Sequence, residues 1–153
     1  MSLPRLLLIT SNWPPPGKTV RHNAELLQAA GVSVDVFAHR GHNPFNYLAA
    51  WTTLRPRLHP GRYDVVHAQE ALDVLLTLPK RVPVVLSVGR LRFGVRFLAR
   101  RADAVVVPSE EIGRGLGALG ARTTLFVIPP DANEQARTAR LLEVYRCVQP
   151  SQS

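Results

Sequence analysis

Short apolar runs alternate with helical patterns along the whole 153-residue chain. The first run, RLLLIT at residues 5–10, is continuously apolar, which is typical of a strand buried on both faces of a sheet. Further runs with the length and β-branched content of strands follow at 32–38, 63–68, 83–88, 103–107 and 123–128. The pattern predicts six strands separated by helices.

Helical patterns fill the intervals between these runs, at residues 21–30, 44–58, 71–78, 91–101 and 109–119. Gly31 is suited to end the first helix, and Asn43 and Ser109 are suited to cap two others. This alternation predicts an α/β fold, a three-layer Rossmann-like domain with a six-stranded parallel sheet. We expect the strand order 3-2-1-4-5-6, with ligands at the carboxyl ends of the strands near the gap between strands one and four.

The last segment predicts an amphipathic helix over residues 133–148, with no strand after it. Its predicted apolar side consists of Ala136, Leu141, Val144, Tyr145 and Val148. We expect this C-terminal helix to pack back on the sheet. The chain then divides into a Rossmann-like domain at 1–131, the helix at 132–149 and a disordered tail at 150–153.

The formal net charge is +8, and arginine supplies most of it. Such a charge favours nucleic acid, acidic lipid or phosphorylated small molecules, although the high arginine usage of a GC-rich genome explains it equally well. The single cysteine, Cys147, excludes an internal disulfide, and no zinc pattern is present. No apolar run approaches the roughly 20 residues of a membrane span. We expect a cytoplasmic protein without cofactor or metal ion.

The loop after the first strand ends in Gly17-Lys18-Thr19, which resembles the end of a phosphate-binding P-loop. A P-loop needs a glycine five residues before Gly17, where Asn12 stands, and backbone N–H groups that the prolines at 14–16 lack. The dinucleotide fingerprint G-x-G-x-x-G is absent too. The loop therefore does not predict an NTPase or an ordinary dehydrogenase.

The same loop fits a smaller anion. Gly17 permits close approach of a ligand to the backbone, and the start of the following helix favours negative charge. Lys18 and Arg21 add positive charge, and His22 begins the helix beside them. The loop is interpreted either as a phosphate or sugar-phosphate site or as a stiff turn.

Two other strand ends carry candidate ligand-binding residues. His67 and Gln69 close strand three on the same face, and Ser87 and Gly89 end strand four. His67 is interpreted either as a ligand contact or as a buried histidine with its own hydrogen bonds. No Ser–His–Asp set, carboxylate pair or metal cluster follows from the spacing. His39 and His42 are expected at the surface, and Asp64, Asp73 and Asp103 at strand starts or on helix surfaces.

A basic stripe is predicted on the helix after strand four, where Arg92, Arg96 and Arg100 recur every four residues. Phe93 and Phe97 form the adjacent stripe. Arginine beside exposed aromatic residues suits an anionic membrane surface. The alternative is a solvated face with both phenylalanines packed in the core or against a partner.

Six segments together resemble the N-terminal domain of the retaining GT-B glycosyltransferases of group 1, a nucleotide-sugar-dependent family. They are LLLITSNWPPPG, AAGVSVDVFAHRG, YDVVHAQ, RVPVVLSV, RRADAVVVPSE and FVIPP, spanning residues 5–130 in this order. The resemblance implies that the loop at Gly17 approaches the donor phosphate or acceptor. It also implies that His67 and Gln69 match the family's H-x-H, and that Ser109 opens the helix after strand five.

The chain departs from the family pattern at several of these positions. The loop at Gly17 lacks the usual second glycine, Gln69 replaces the second histidine, and Val88-Gly89 replaces a histidine–glycine pair. The family's link to its second domain resembles Ile128-Pro129-Pro130-Asp131 with the asparagine and glycine altered. After it comes TARLLEVYRCV, which resembles the family's last helix, in place of the donor-binding domain.

These departures imply an acceptor-side glycosyltransferase domain from which the donor-binding domain has been deleted, and which is inactive alone. We expect a sugar or sugar-phosphate acceptor and no nucleic acid. A non-catalytic module that binds a sugar-phosphate, an anionic lipid or a protein partner is the alternative, with peripheral membrane attachment or a homodimer through the exposed cleft. A small flavodoxin-like or nucleotide-binding domain is a third possibility.

Overall fold

The computed structural model describes residues 3–11, 18–40, 43–120 and 122–150. Its strands are β1 (Arg5–Ser11), β2 (Ser33–His39), β3 (Val65–Ala68), β4 (Val84–Ser87), β5 (Ala104–Val107) and β6 (Thr124–Val127). Its α-helices are α1 (Lys18–Ala29), α2 (Pro44–Leu54), α3 (Val95–Ala99), α4 (Glu110–Gly115) and α5 (Glu134–Val148). A 3₁₀ helix, Ala71–Thr77, follows β3.

All six strands run parallel, which confirms the predicted sheet. Their order is β2-β1-β3-β4-β5-β6, so the expected order 3-2-1-4-5-6 is wrong. The chain crosses back over β1 after β2, and β3 pairs with the other edge of β1. The point where the order reverses therefore lies between β1 and β3, and not between strands one and four.

Burial gives the physical reason for this order. Every residue of β3 is buried, as a central position between two layers of helices requires. Most residues of β2 are exposed or only partly buried, and Val36 keeps 39% of its surface in water. A strand at the edge of a sheet tolerates such exposure, so β2 takes the edge and β3 the centre.

Two aspartates fasten neighbouring strands together at the amino ends of the sheet. The Asp64 carboxylate accepts hydrogen bonds from the backbone N–H of Arg5 at 2.8 Å and from its guanidinium at 3.0 and 3.1 Å. These bonds hold the pKa of Asp64 below its usual range. Asp103 likewise accepts from the backbone N–H of Val84 and from Lys80, each at 2.8 Å. The expectation that both aspartates stand at strand starts is confirmed.

Helices cover both faces of the sheet. On one face α1 and α5 pack over β1, β3 and β4, and on the other face α2, the 3₁₀ helix, α3 and α4 pack over the same strands and β5. Leu141, Val144 and Tyr145 of α5 are buried in the first layer, which confirms that the C-terminal helix packs back on the sheet. Ala136, expected on the same side, is exposed. In the described part of the chain, no helix is both long and apolar enough to cross a membrane.

The ends of the helices follow local chemistry. The side chain of Asn43 accepts from the N–H of Asn46 at 2.8 Å, and Gly31 has a φ of 93°, which confirms the predicted cap and stop. Helix α3 is shorter than the predicted 91–101, because Gly94 adopts a left-handed φ of 83° that no helix interior accommodates. Residues 91 and 92 therefore precede the helix as irregular backbone.

We predict that Tyr145→Ala lowers the free energy of unfolding by about 3–5 kcal/mol. The substitution leaves a cavity in the core and removes the hydroxyl that lies 2.8 Å from Nδ1 of the buried His67. Tyr145→Phe, which keeps the ring, should cost about 1 kcal/mol. Urea unfolding followed by circular dichroism measures both. Arg146→Ala, at an exposed position of the same helix, is the control. Equal effects of Tyr145→Ala and Arg146→Ala would show that α5 does not contribute to the core.

Candidate functional site

A cavity of about 500 Å³ opens at the carboxyl ends of β3 and β4. One wall is the segment that links β3 to the 3₁₀ helix, and the other is the segment that links β4 to α3. Its polar lining is formed by Gln69, Glu70, Ser87, Gly89, Arg90 and Arg92. Leu72, Phe93, Val95 and Leu98 supply apolar surface. This is the edge of a doubly wound sheet at which ligands bind.

A chain of three hydrogen-bonded side chains ends at this cavity. Tyr145 of α5 is buried, and its hydroxyl lies 2.8 Å from Nδ1 of His67 on β3. Nε2 of His67 lies 2.6 Å from the hydroxyl oxygen of Ser87 on β4. These hydrogen bonds therefore connect helix α5, by way of the central strand β3, to a residue of the cavity wall.

Burial determines the direction of these hydrogen bonds. It lowers the pKa of His67 to about 4, so the imidazole is neutral at pH 7. It also raises the pKa of Tyr145, so the phenol keeps its proton. A buried hydroxyl proton needs an acceptor, and among the described residues Nδ1 of His67 is the one bonded to it. Nε2 of His67 then carries the ring proton and donates to Ser87.

This arrangement orients the Ser87 hydroxyl. Because its oxygen accepts from His67, its own proton is available to a different acceptor, and Ser87 lines the cavity. Ser87 can therefore donate a hydrogen bond to a ligand bound in the cavity. Such a donor binds a ligand oxygen, in a hydroxyl, phosphate or carboxylate group.

Gly89 leaves room in the same cavity. A side-chain Cβ built at this position has no atom within 4 Å, so the space beside the backbone is open. Arg90 and Arg92 follow directly and bring two positive charges to the lining, against one carboxyl group from Glu70. The balance of charge favours an anionic or oxygen-rich ligand.

Three residues that were predicted to bind ligand line this cavity, namely Gln69, Ser87 and Gly89. Arg92, which was predicted as part of the basic stripe, lines it too. His67 lies behind Ser87 and is only 3% exposed, with side-chain partners on both ring nitrogens. His67 therefore acts on the cavity indirectly, through its hydrogen bond to Ser87.

The remaining predicted positions lie elsewhere. Gly17 and the side chain of Lys18 are outside the described residues. Arg21 is exposed on α1. His22 lies with Nε2 at 2.6 Å from the Glu134 carboxylate and so links α1 to the start of α5. Ser109 caps α4 by accepting from the N–H of Ile112 at 3.3 Å, which confirms the predicted cap.

The predicted basic stripe is not a stripe on one helix. Arg92 precedes α3, Arg96 lies within it, and Arg100 follows its last residue. The left-handed Gly94 breaks the helical spacing between Arg92 and Arg96. The three guanidinium groups still belong to one exposed segment beside the cavity.

A buried hydrogen bond between a histidine and an aspartate lies at the end of β2, and no local pattern in the sequence indicated it. Nε2 of His39 lies 2.6 Å from Oδ1 of Asp73, and both side chains are buried, so the expectation that they lie at the surface is wrong. Burial raises the pKa of Asp73, although the bond to His39 opposes that shift. The pair joins the end of β2 to the 3₁₀ helix across 34 positions of the chain, so it has no local sequence signal.

Comparisons with known proteins support the fold. No family model matches the sequence, and no curated protein matches it. A solved chain of a sucrose-phosphate synthase from Thermosynechococcus elongatus is similar in structure, with a TM-score of 0.73 over 94% of this chain and 98% of that chain. The sequence identity is 16%, so the similarity shows the fold alone.

We predict that stability falls as the pH is lowered from about 6.5 to 4, with His67 contributing roughly 3 kcal/mol of the loss. The folded-state pKa of His67 lies below its unfolded value, so in this range the unfolded chain binds a proton that the folded chain excludes. His67→Gln should flatten the dependence of urea unfolding on pH. The raised pKa of Asp73 makes the folded state more stable as the pH falls, which is the opposite effect. This contribution is the same in the variant and the parent, so it cancels in their difference. Parallel pH profiles of the two proteins would contradict the assignment.

Proposed function

We propose that this chain is the acceptor-side domain of a glycosyltransferase, and that the cavity at the ends of β3 and β4 binds a sugar or sugar-phosphate acceptor. Two observations support the proposal: the fold shared with a sucrose-phosphate synthase, and the resemblance of six sequence segments to the group 1 family. The observation that carries it is the cavity itself, which is lined by Ser87, and the hydrogen bond from His67 to the Ser87 hydroxyl oxygen.

The lining suits a phosphorylated sugar. The Ser87 hydroxyl donates to a sugar or phosphate oxygen, and the Gln69 amide both donates and accepts. Arg90 and Arg92 stand where a phosphate group would be neutralised. The apolar residues Val95 and Leu98 give a surface for the carbon face of a sugar ring.

The chain alone is proposed to be inactive as a transferase. Transfer from a nucleotide sugar requires that donor and acceptor be held together with water excluded. In this structure a single α/β domain forms the cavity, because both of its walls come from segments that follow β3 and β4. Nothing in that lining resembles a nucleotide site.

Two other functions fit less well. One is a non-catalytic module that binds the same ligand. Such a module differs from an acceptor-side transferase domain only in having no donor-binding partner. A flavodoxin-like function is favoured by the strand order, which flavodoxins share. Flavodoxins bind their flavin at the point between β1 and β3, however, whereas the cavity here lies between the ends of β3 and β4.

We predict saturable binding of a hexose 6-phosphate to the purified chain, weakened at least tenfold by Gly89→Leu. The leucine side chain would enter the open space beside Gly89, and the fold should tolerate it because nothing lies within 4 Å of its Cβ. Isothermal titration calorimetry and NMR shift perturbation measure the affinity. Gly120→Leu is the matched control, since a Cβ at Gly120 also meets nothing within 4 Å.

The neutral hexose provides the second arm of this experiment. It should bind more weakly than its phosphate, and only the phosphate should lose affinity in high salt. An absence of saturable binding, or equal losses in Gly89→Leu and Gly120→Leu, would contradict the proposed cavity ligand. Tight binding of FMN by the parent chain would favour the flavodoxin-like alternative.

We predict no measurable sugar transfer when the chain is incubated with a nucleotide sugar and the hexose phosphate. The physical reason is that the acceptor alone is held, so the donor gains no orientation and stays in water. Release of the nucleoside diphosphate, followed by coupled enzymatic assay, is the measurement. Turnover that Gly89→Leu abolishes would overturn this prediction and show a complete enzyme.

A further inference from the structure

The cavity is bordered by a segment with unusual surface chemistry, residues 90–101, here called the rim. It holds five arginines at positions 90, 92, 96, 100 and 101, and all five side chains are exposed. No aspartate or glutamate occurs between Asp73 and Asp103 in the sequence. Within the described residues, the acidic side chain that faces the rim across the cavity is Glu70.

The rim also exposes apolar side chains. Phe93 is fully exposed, Phe97 is 61% exposed and Leu91 is 46% exposed. Two further exposed leucines, Leu72 and Leu75, lie on the 3₁₀ helix, which packs against α3. Several exposed large apolar side chains in neighbouring segments are typical of an interaction site, because their contact with water is unfavourable.

Within the described part of the chain, none of the five rim arginines forms an ion pair with a carboxylate. Arg96 donates to the backbone oxygen of Gly115 at 2.9 Å, and the Arg101 guanidinium lies 5.3 Å from the centre of the Phe97 ring. These contacts leave the charge of both groups uncompensated. The rim is therefore a surface on which positive charge and aromatic rings alternate over twelve residues of the chain, 90–101.

We propose that the rim is a docking surface for an anionic lipid bilayer. Arginines attract the negatively charged headgroups, and Phe93, Phe97 and Leu91 enter the boundary between headgroups and acyl chains. Charge complementarity alone would equally suit a nucleic acid, but a fully exposed phenylalanine between arginines gains most from an apolar medium. Because the cavity opens at the same rim, a ligand in it would lie beside the headgroups. This surface does not depend on what the cavity binds.

The test is sedimentation of the chain with vesicles of phosphatidylcholine alone or with phosphatidylglycerol, at low and high salt. We expect binding to the anionic vesicles only, and a strong decrease in high salt. The double variant Arg90→Gln/Arg92→Gln should bind at least tenfold more weakly, at roughly fivefold for each charge. Phe93→Ser should weaken binding roughly tenfold.

Matched variants separate the rim from total charge and total apolar surface. Arg122→Gln/Arg146→Gln removes the same charge at two exposed positions outside the rim, and Phe45→Ser removes a phenylalanine that is 80% exposed on α2. Both should bind vesicles like the parent chain. Since all the replaced side chains are exposed, circular dichroism should show the same fold and thermal midpoint for every variant.

Phe93→Trp gives a second readout. Its fluorescence should shift to the blue on anionic vesicles if the ring enters the membrane boundary. Three results would each overturn the proposal: no binding to anionic vesicles, equal losses in the rim and control variants, or tryptophan emission that vesicles leave unchanged. Preferential binding to duplex nucleic acid, unaffected by Phe93→Ser, would assign the rim to that partner instead.

Discussion

Strand β3 lies between β1 and β4, and its burial on both faces is the constraint on which the rest of the structure depends. Val65 and Val66 are buried. A strand of this kind needs hydrogen-bonding strands on both edges and helices that cover both faces. Arg5 and Asp64 hold its start against β1. With β3 in the centre, His67 is carried into the interior, where an imidazole cannot hold a proton at neutral pH.

The two ends of the sheet have different chemistry. At the amino ends, carboxylates accept hydrogen bonds from backbone N–H groups and from lysine or arginine side chains, and these bonds link neighbouring strands. At the carboxyl ends, the chain turns away through short segments that leave a cavity, and polar side chains line it. The asymmetry is expected of a parallel sheet, because all strands end at one edge, and helices begin from that edge.

The site and the rim use different kinds of interaction. The Ser87 hydroxyl is oriented from inside, by a neutral histidine and a phenol that are both fully buried. The rim acts from outside, through exposed guanidinium groups and aromatic rings whose effect is reduced by salt. The Ser87 hydroxyl can discriminate among ligand oxygens by their position, whereas the rim would concentrate the protein on an anionic surface. They are close in the chain, because Ser87 ends β4 and the rim begins three residues later at Arg90.

Much of the fold could be predicted from the chain alone, because strands, caps and stops are local. Continuous apolar runs, Asn43, Gly31 and Ser109 identify elements whose hydrogen bonds involve residues within a few positions. The sequence also determined the concentration of arginine and phenylalanine at 90–101, and that Gln69, Ser87 and Gly89 stand at strand ends. The usual order of such sheets, however, placed strand three and not strand two at the edge, and this expectation was wrong.

What only the tertiary structure decided are the pairings between distant segments. Tyr145 and His67 are 78 positions apart, and His39 and Asp73 are 34 apart, so no spacing rule connects them. Which strand lies beside β1 likewise depends on burial of the whole sheet and not on any run of residues. Local periodicity identifies the elements because it depends on the backbone of a few neighbours, whereas partners across the sheet are chosen by the total area removed from water.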